Sequence, residues 1–104
     1  MIYELRTYQF VVGGLPEYLE LARTLILPAI GEYGIKPVGF WTSESGSLHQ
    51  AIHLWAYADL NDRQAKWAAW AKDPRRKEVL AKLRPLLVGQ HNVFLSPTEF
   101  SPLQ

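Results

Sequence analysis

Hydrophobic and polar positions alternate along four stretches of the chain. Alternation of this kind, with many aromatic and β-branched residues, predicts β-strands at residues 2–10, 35–45, 49–57 and 88–96. Gly46-Ser47 separates the second strand from the third, so these two are expected to form a hairpin.

Between the first two strands, apolar residues recur at helical spacing from Leu15 to Tyr33. Pro16 suits the first turn of this helix, where a missing N–H group costs nothing. Pro28 lies inside the same pattern. It is expected to kink the helix or to end its regular part near Leu27, because proline cannot complete the hydrogen-bond ladder.

A second helical pattern follows the third strand. Asp59 is a good N-cap, and the helix is expected to run to about Ala71. Asp73-Pro74 then restarts it as cap and first residue, and Arg84-Pro85 ends it.

The predicted order of elements is β-α-β-β-α-β over residues 1–104. This is the ferredoxin-like arrangement, an α+β fold with an antiparallel sheet and both helices on one face. Right-handed crossovers place the strands in the order 4-1-3-2. We therefore expect the chain to form one domain.

Both faces of this sheet carry large apolar or aromatic side chains. In the third strand, the two faces hold Ile52, Leu54 and Ala56 on one side and His53, Trp55 and Tyr57 on the other. Three exposed rings would present roughly 500–700 Å², at or above the ~300–600 Å² patch that a monomer usually tolerates. A homodimer with the two sheets facing each other is the simplest solution. The alternative is that the helices and the C-terminal segment cover more of the sheet.

Composition excludes several classes of protein. Of the 104 residues, 48% are hydrophobic and none is Cys, so neither a disulfide framework nor a thiolate zinc site is expected. The net charge of +1 argues against a nucleic-acid binder. No apolar run reaches the ~20 residues of a membrane span, and the first residues lack a signal-peptide pattern. We expect a cytoplasmic location.

Charge is unevenly distributed along the chain. Residues 63–84 hold eight Lys or Arg against only Asp73 and Glu78. A solvated helical face is the favoured interpretation, and an anion-attracting patch is the alternative.

Several short motifs, in the same order along the chain, resemble the NIPSNAP family. They are Met1-Ile2-Tyr3-Glu4-Leu5-Arg6-Thr7-Tyr8, Leu15-Pro16-Glu17-Tyr18-Leu19, Val38-Gly39-Phe40-Trp41-Thr42, His53-Leu54-Trp55-Ala56-Tyr57, Asp73-Pro74 and Arg84-Pro85-Leu86. The resemblance implies a dimeric α+β barrel and no defined reaction. Related barrels include cofactor-independent monooxygenases of aromatic compounds and haem enzymes, a link of fold alone.

Polar and aromatic side chains share one face of the first and third strands. The candidate ligand-binding residues are Arg6, Tyr8, Trp41, His53, Trp55 and Tyr57. In a functional interpretation, Tyr8 or His53 moves a proton, Arg6 holds an anion and the indoles sandwich a flat molecule. In the favoured structural interpretation, the rings are packing and Glu4–Arg6 is a salt bridge at the dimer interface, with further hydrogen-bond partners to offset desolvation.

The three histidines do not suggest a metal site. His49 and His53 lie four residues apart on one strand, which separates them by about 13 Å at ~3.3 Å per residue. His91 belongs to another strand. No metal and no cofactor are expected.

Three functions stay open, and no catalytic residue is assigned. The leading hypothesis is a homodimeric domain of undefined activity that binds a small hydrophobic or aromatic molecule. The second is a cofactor-independent, monooxygenase-like enzyme acting on an aromatic substrate. The third is a protein-interaction module without a small-molecule site, which presents its basic helical face to a partner.

Overall fold

The computed structural model describes residues 1–104, and its elements follow the predicted order. The strands are β1 (Ile2–Phe10), β2 (Pro37–Thr42), β3 (Gln50–Tyr57) and β4 (Leu87–Leu95). The helices are α1 (Gly14–Leu21), α2 (Leu27–Gly31), α3 (Leu60–Ala71) and α4 (Arg75–Leu83), with a π-helical turn over Ala22–Ile26 between α1 and α2. None of these helices is long and apolar enough to cross a membrane.

The four strands form one antiparallel sheet in the order β2-β3-β1-β4. This confirms the predicted strand order and the α+β ferredoxin-like fold. Register places Arg6 opposite His53 of β3 and opposite Asn92 of β4. The middle of β1 is therefore the middle of the sheet.

The first helix differs from the prediction at its centre. Instead of a break at Pro28, a π-turn lies one turn earlier, where the Leu27 N–H donates to the Ala22 carbonyl. Pro28 then occupies the first turn of α2, where no N–H is needed, and the helix continues to Gly31. The wider turn accommodates the proline within a helix that continues beyond it.

Strand β2 is shorter than residues 35–45. Ile35 is buried in the core rather than paired, and Pro37 begins the strand. At its other end, Gly46 and His49 have positive φ angles of 73° and 62° in the hairpin loop, so pairing stops after Thr42.

The helices cover one face of the sheet, which we call the inner face. It buries the alternate residues of β1 and β3, from Glu4 to Phe10 and from Ala51 to Tyr57. The opposite, outer face carries Leu5, Ile52 and Leu54, which stay half-exposed in one chain. At one corner of it, the Tyr3 hydroxyl donates to the Gln104 carbonyl, so the C-terminal segment covers this tyrosine.

Candidate functional site

A pocket of about 310 Å³ lies between the inner face of the sheet and the helices. Of its 19 lining residues, 14 are hydrophobic, so its wall is mainly apolar. The sheet contributes Arg6, Tyr8, Phe40, His53, Trp55 and Gln90, and the π-turn and helices contribute residues such as Tyr18, Ile26, Arg63, Trp67, Trp70, Arg76 and Val79.

Behind this wall, the Glu4 carboxylate is completely buried and fully hydrogen-bonded. It accepts bonds from Arg6 Nη2 (3.2 Å), Arg63 Nε and Nη2 (3.1 and 3.0 Å), Asn92 Nδ2 (2.7 Å) and Tyr57 Oη (3.2 Å). Burial disfavours the charged carboxylate, but the hydrogen bonds from Arg63, Arg6 and Asn92 and the positive charge of Arg6 outweigh it, so the pKa of Glu4 lies below 4.5.

This charge pair is not where the sequence placed it. We expected Glu4–Arg6 at the dimer interface, whereas it lies on the inner face, within one chain and under the helices. Arg63, from α3, completes the cluster. The pair is on this face because Glu4 and Arg6 share the parity of Tyr8 and Phe10, whose rings fill the core.

Arg6 reaches from this cluster into the pocket wall. Its guanidinium lies 4.3 Å from the ring centre of Trp67 and 5.9 Å from that of Trp55. Its Nη1 donates to the Tyr8 hydroxyl at 3.4 Å. The cation is thus held between two indoles and a phenol, with little freedom to move.

His53 occupies the centre of the wall among aromatic rings. Its ring centre is 3.9 Å from that of Phe40, and its Nε2 is 3.2 Å from the Tyr18 hydroxyl. Burial and the nearby Arg6 charge lower the pKa of His53 to about 3, so this imidazole is neutral at pH 7. Burial also raises the pKa of Tyr18, which therefore keeps its proton.

Three buried polar atoms of this wall have no hydrogen-bond partner within the protein. They are Arg6 Nε, His53 Nδ1 and Trp55 Nε1. The three residues are at most 7% exposed and all line the same pocket. Buried polar atoms are normally paired, so three unpaired ones at one wall are an exception that needs a physical explanation.

Four of the six predicted site residues come together in this pocket: Arg6, Tyr8, His53 and Trp55. Tyr57 lies next to it, where its hydroxyl accepts from Trp67 Nε1 at 2.7 Å and donates to Glu4.

Trp41 does not belong to this group. It is 53% exposed and lies on the outer face, because it pairs with Ile52 while its neighbour Phe40 pairs with the inward-facing His53. Its indole covers Gly39, where an added Cβ would lie 2.0 Å from Trp41 Cη2. Trp41 therefore lies away from the pocket that the other three tryptophans line.

The predicted site residues do not include three side chains on the helical side of the pocket. Tyr18, Arg63 and Arg76 all line it. A signal was present for α3, since Arg63, Trp67 and Trp70 recur at the i, i+4, i+7 spacing of one helical face. We had interpreted the charges of this region mainly as a solvated face.

No group of three or more His, Asp or Glu side chains is arranged to hold a metal ion. His53 faces the pocket, and His91, which pairs with Thr7, lies on the outer face. His53 therefore has no second histidine beside it.

Comparison with known proteins gives a consistent family match. The profile of the family described as NIPSNAP matches residues 3–102. Protein NipSnap of Drosophila melanogaster is 35% identical over 105 residues, covering 99% of this chain and 37% of that protein. The chain spans between 35% and 42% of the length of the curated relatives it matches.

Solved structures are similar over the whole chain. Protein Atu4242 of Agrobacterium tumefaciens is 34% identical, with a TM-score of 0.94 and 100% of both chains covered. A monooxygenase from the gene ActVA-Orf6 of Streptomyces coelicolor, solved with the ligand Nanaomycin D, has a TM-score of 0.67 over 99% of this chain and 92% of that one. Its identity is 18%, so this likeness concerns the fold alone.

Proposed function

Because the chain belongs to the NIPSNAP family and has a pocket between its sheet and its helices, we propose that it is a homodimeric domain that binds a small hydrophobic or aromatic molecule in that pocket. The observation that carries the proposal is the mainly apolar cavity of about 310 Å³ with a few convergent polar groups. Small-molecule sites have this character, at ~300–1,000 Å³.

The homodimer is supported by the outer face. On neighbouring strands of one chain, Leu5, Ile52 and Leu54 are partly exposed, Val93 and Leu95 are exposed, and Trp41 adds an exposed indole. Because the helices occupy the other face, a second copy can cover this surface without blocking the pocket.

A monooxygenase-like reaction on an aromatic substrate is the second candidate. Two observations favour it: Tyr8, Tyr18 and His53 lie at the pocket wall, and the fold is that of the Streptomyces coelicolor monooxygenase. However, a general base works best when its pKa is near the working pH. A pKa of about 3 makes His53 a weak base, so binding is the better-supported function.

A protein-interaction module is less well supported. Such a module needs no cavity, and several basic side chains of the helical face are already paired: Arg63 with Glu4, Lys66 with Asp62, Arg75 with Asp73 and Glu32, and Lys82 with Glu78. The cytoplasmic location stays a prediction.

A thermal-shift screen of small aromatic and hydrophobic compounds tests the pocket. Ala71 and Ala69 are both exposed on α3, but only Ala71 lines the pocket. We expect compounds that raise the Tm of the wild type and of Ala69→Phe to lose this effect in Ala71→Phe, whose ring occupies the cavity. If no compound raises the Tm, or if Ala71→Phe responds like the wild type, binding in this pocket is contradicted.

A further inference from the structure

The unpaired polar atoms at the pocket wall are mainly hydrogen-bond donors. The unpaired Arg6 Nε and Trp55 Nε1 each carry a hydrogen and can only donate. His53 Nδ1 is a third donor when Tyr18 donates to Nε2. A ligand that satisfies these atoms must therefore present acceptor oxygens, not donors.

The charges at the pocket have one sign. Its lining contains three arginines, Arg6, Arg63 and Arg76, and no Asp or Glu. Glu4, behind the wall, is shared between Arg6 and Arg63, so one carboxylate balances two guanidinium groups. Arg76 forms no ion pair with any carboxylate of the chain. The site therefore has an uncompensated positive charge next to an apolar cavity.

We propose that the molecule bound in this pocket is an organic acid, with a carboxylate directed at Arg6, Trp55 and Arg76 and an aromatic or hydrophobic body among the rings. This rests on the proposed function and specifies its ligand class. A carboxylate supplies several acceptor sites and a negative charge, and charge-assisted hydrogen bonds are about twice as strong as neutral ones. An amine of the same shape would face arginines and unpaired donors.

Titration calorimetry at pH 7 with matched probes separates charge from shape. The probes are benzoate and 2-naphthoate, each with its uncharged carboxamide. We expect each acid to bind about tenfold or more tightly than its amide, since a hydrogen bond to a charged group contributes more than one to a neutral group.

Two variants, each with a matched control, assign the effect to residues. Arg76→Gln should weaken the binding of 2-naphthoate about three- to tenfold and leave the binding of the amide unchanged. Lys77→Gln removes an exposed charge from the same helix, away from the pocket, and should change the binding of neither compound. Trp55→Phe keeps a ring but removes the Nε1 donor, and it should also weaken the binding of 2-naphthoate. Its control is Trp41→Phe on the outer face.

The outcomes are distinct. If acid and amide bind equally, or Arg76→Gln and Lys77→Gln behave alike, the acid is not recognised here, while small-molecule binding stands. If neither probe binds and the thermal-shift screen also yields nothing, the proposed function fails and this inference fails with it.

Discussion

Glu4 is the residue on which the geometry of the site depends. Its carboxylate joins Arg6 on β1, Arg63 on α3 and Asn92 on β4. A buried carboxylate is costly unless it is paired and hydrogen-bonded, and here all its acceptor capacity is used. Glu4 thus fixes the guanidinium of Arg6 at the pocket wall and ties α3 to the sheet.

Replacing this carboxylate should destabilise the fold strongly. Glu4→Gln leaves the buried Arg6 without its counter-charge, so we expect a loss of about 3–5 kcal/mol in the free energy of unfolding at pH 7. Urea denaturation measures it. Glu20→Gln is the control, since the Glu20–Arg23 pair is exposed and contributes at most about 1 kcal/mol. Equal effects of the two variants would show that Glu4 has no structural role.

The wild type and Glu4→Gln, compared at several pH values, also test the titration of Glu4. Because its pKa in the folded state is below 4.5, its ionisation stabilises the fold above pH 4.5, and this contribution is lost as the pH falls from 4.5 through the folded pKa. Asp62 and Asp73 also have lowered pKa values, but both proteins retain them, so they cancel in the difference. We expect the gap between wild type and Glu4→Gln to narrow below pH 4.5. A constant gap down to pH 3 would contradict the account.

At the scale of elements, the features that depend on a few neighbouring residues could be predicted from the sequence. Asp59 caps α3 by accepting from Asp62 N at 2.8 Å, and Asp73 accepts from Arg75 N at 2.8 Å where α4 begins. Strand alternation and the Gly46 turn are equally local. Chain-crossing rules then leave few topologies for such an order of elements, which is why the strand order was also predicted correctly.

Features that depend on distant contacts could not be predicted. The face on which Trp41 lies is set by the β2–β3 register, which shifts between Pro37 and Gly39. Pro28 signals an irregularity in the first helix but not its form, which here is a π-turn over Ala22–Ile26. Arg76 lines the pocket because of how α4 packs, whereas its sequence neighbours show only a basic run.

For the molecule as a whole, the two faces of the sheet have different roles. The inner face buries a polar cluster, aromatic rings and the pocket. The outer face holds half-exposed aliphatic residues on β1, β3 and β4, for which a second copy is the proposed cover. Small-molecule binding and pairing are thus expected to be separable by mutation.

Val93 is a suitable position for this test, because it lies on the outer face opposite Leu5. Sedimentation should give the wild type a mass near twice the 11.9 kDa of one chain. Val93→Lys would place a charge in the proposed apolar interface and should yield the single-chain mass. Val12→Lys, in the exposed loop before α1, should remain paired. A single-chain mass for the wild type would contradict the homodimer.

The four indole N–H groups provide the most direct measurement of where a ligand binds. Trp55, Trp67 and Trp70 line the pocket, and Trp41 lies on the opposite face. In ¹⁵N-resolved NMR spectra with 2-naphthoate added, we expect the Trp55 and Trp67 indole resonances to shift while that of Trp41 stays in place. A shift of Trp41 alone, or no shift of any indole, would contradict this prediction.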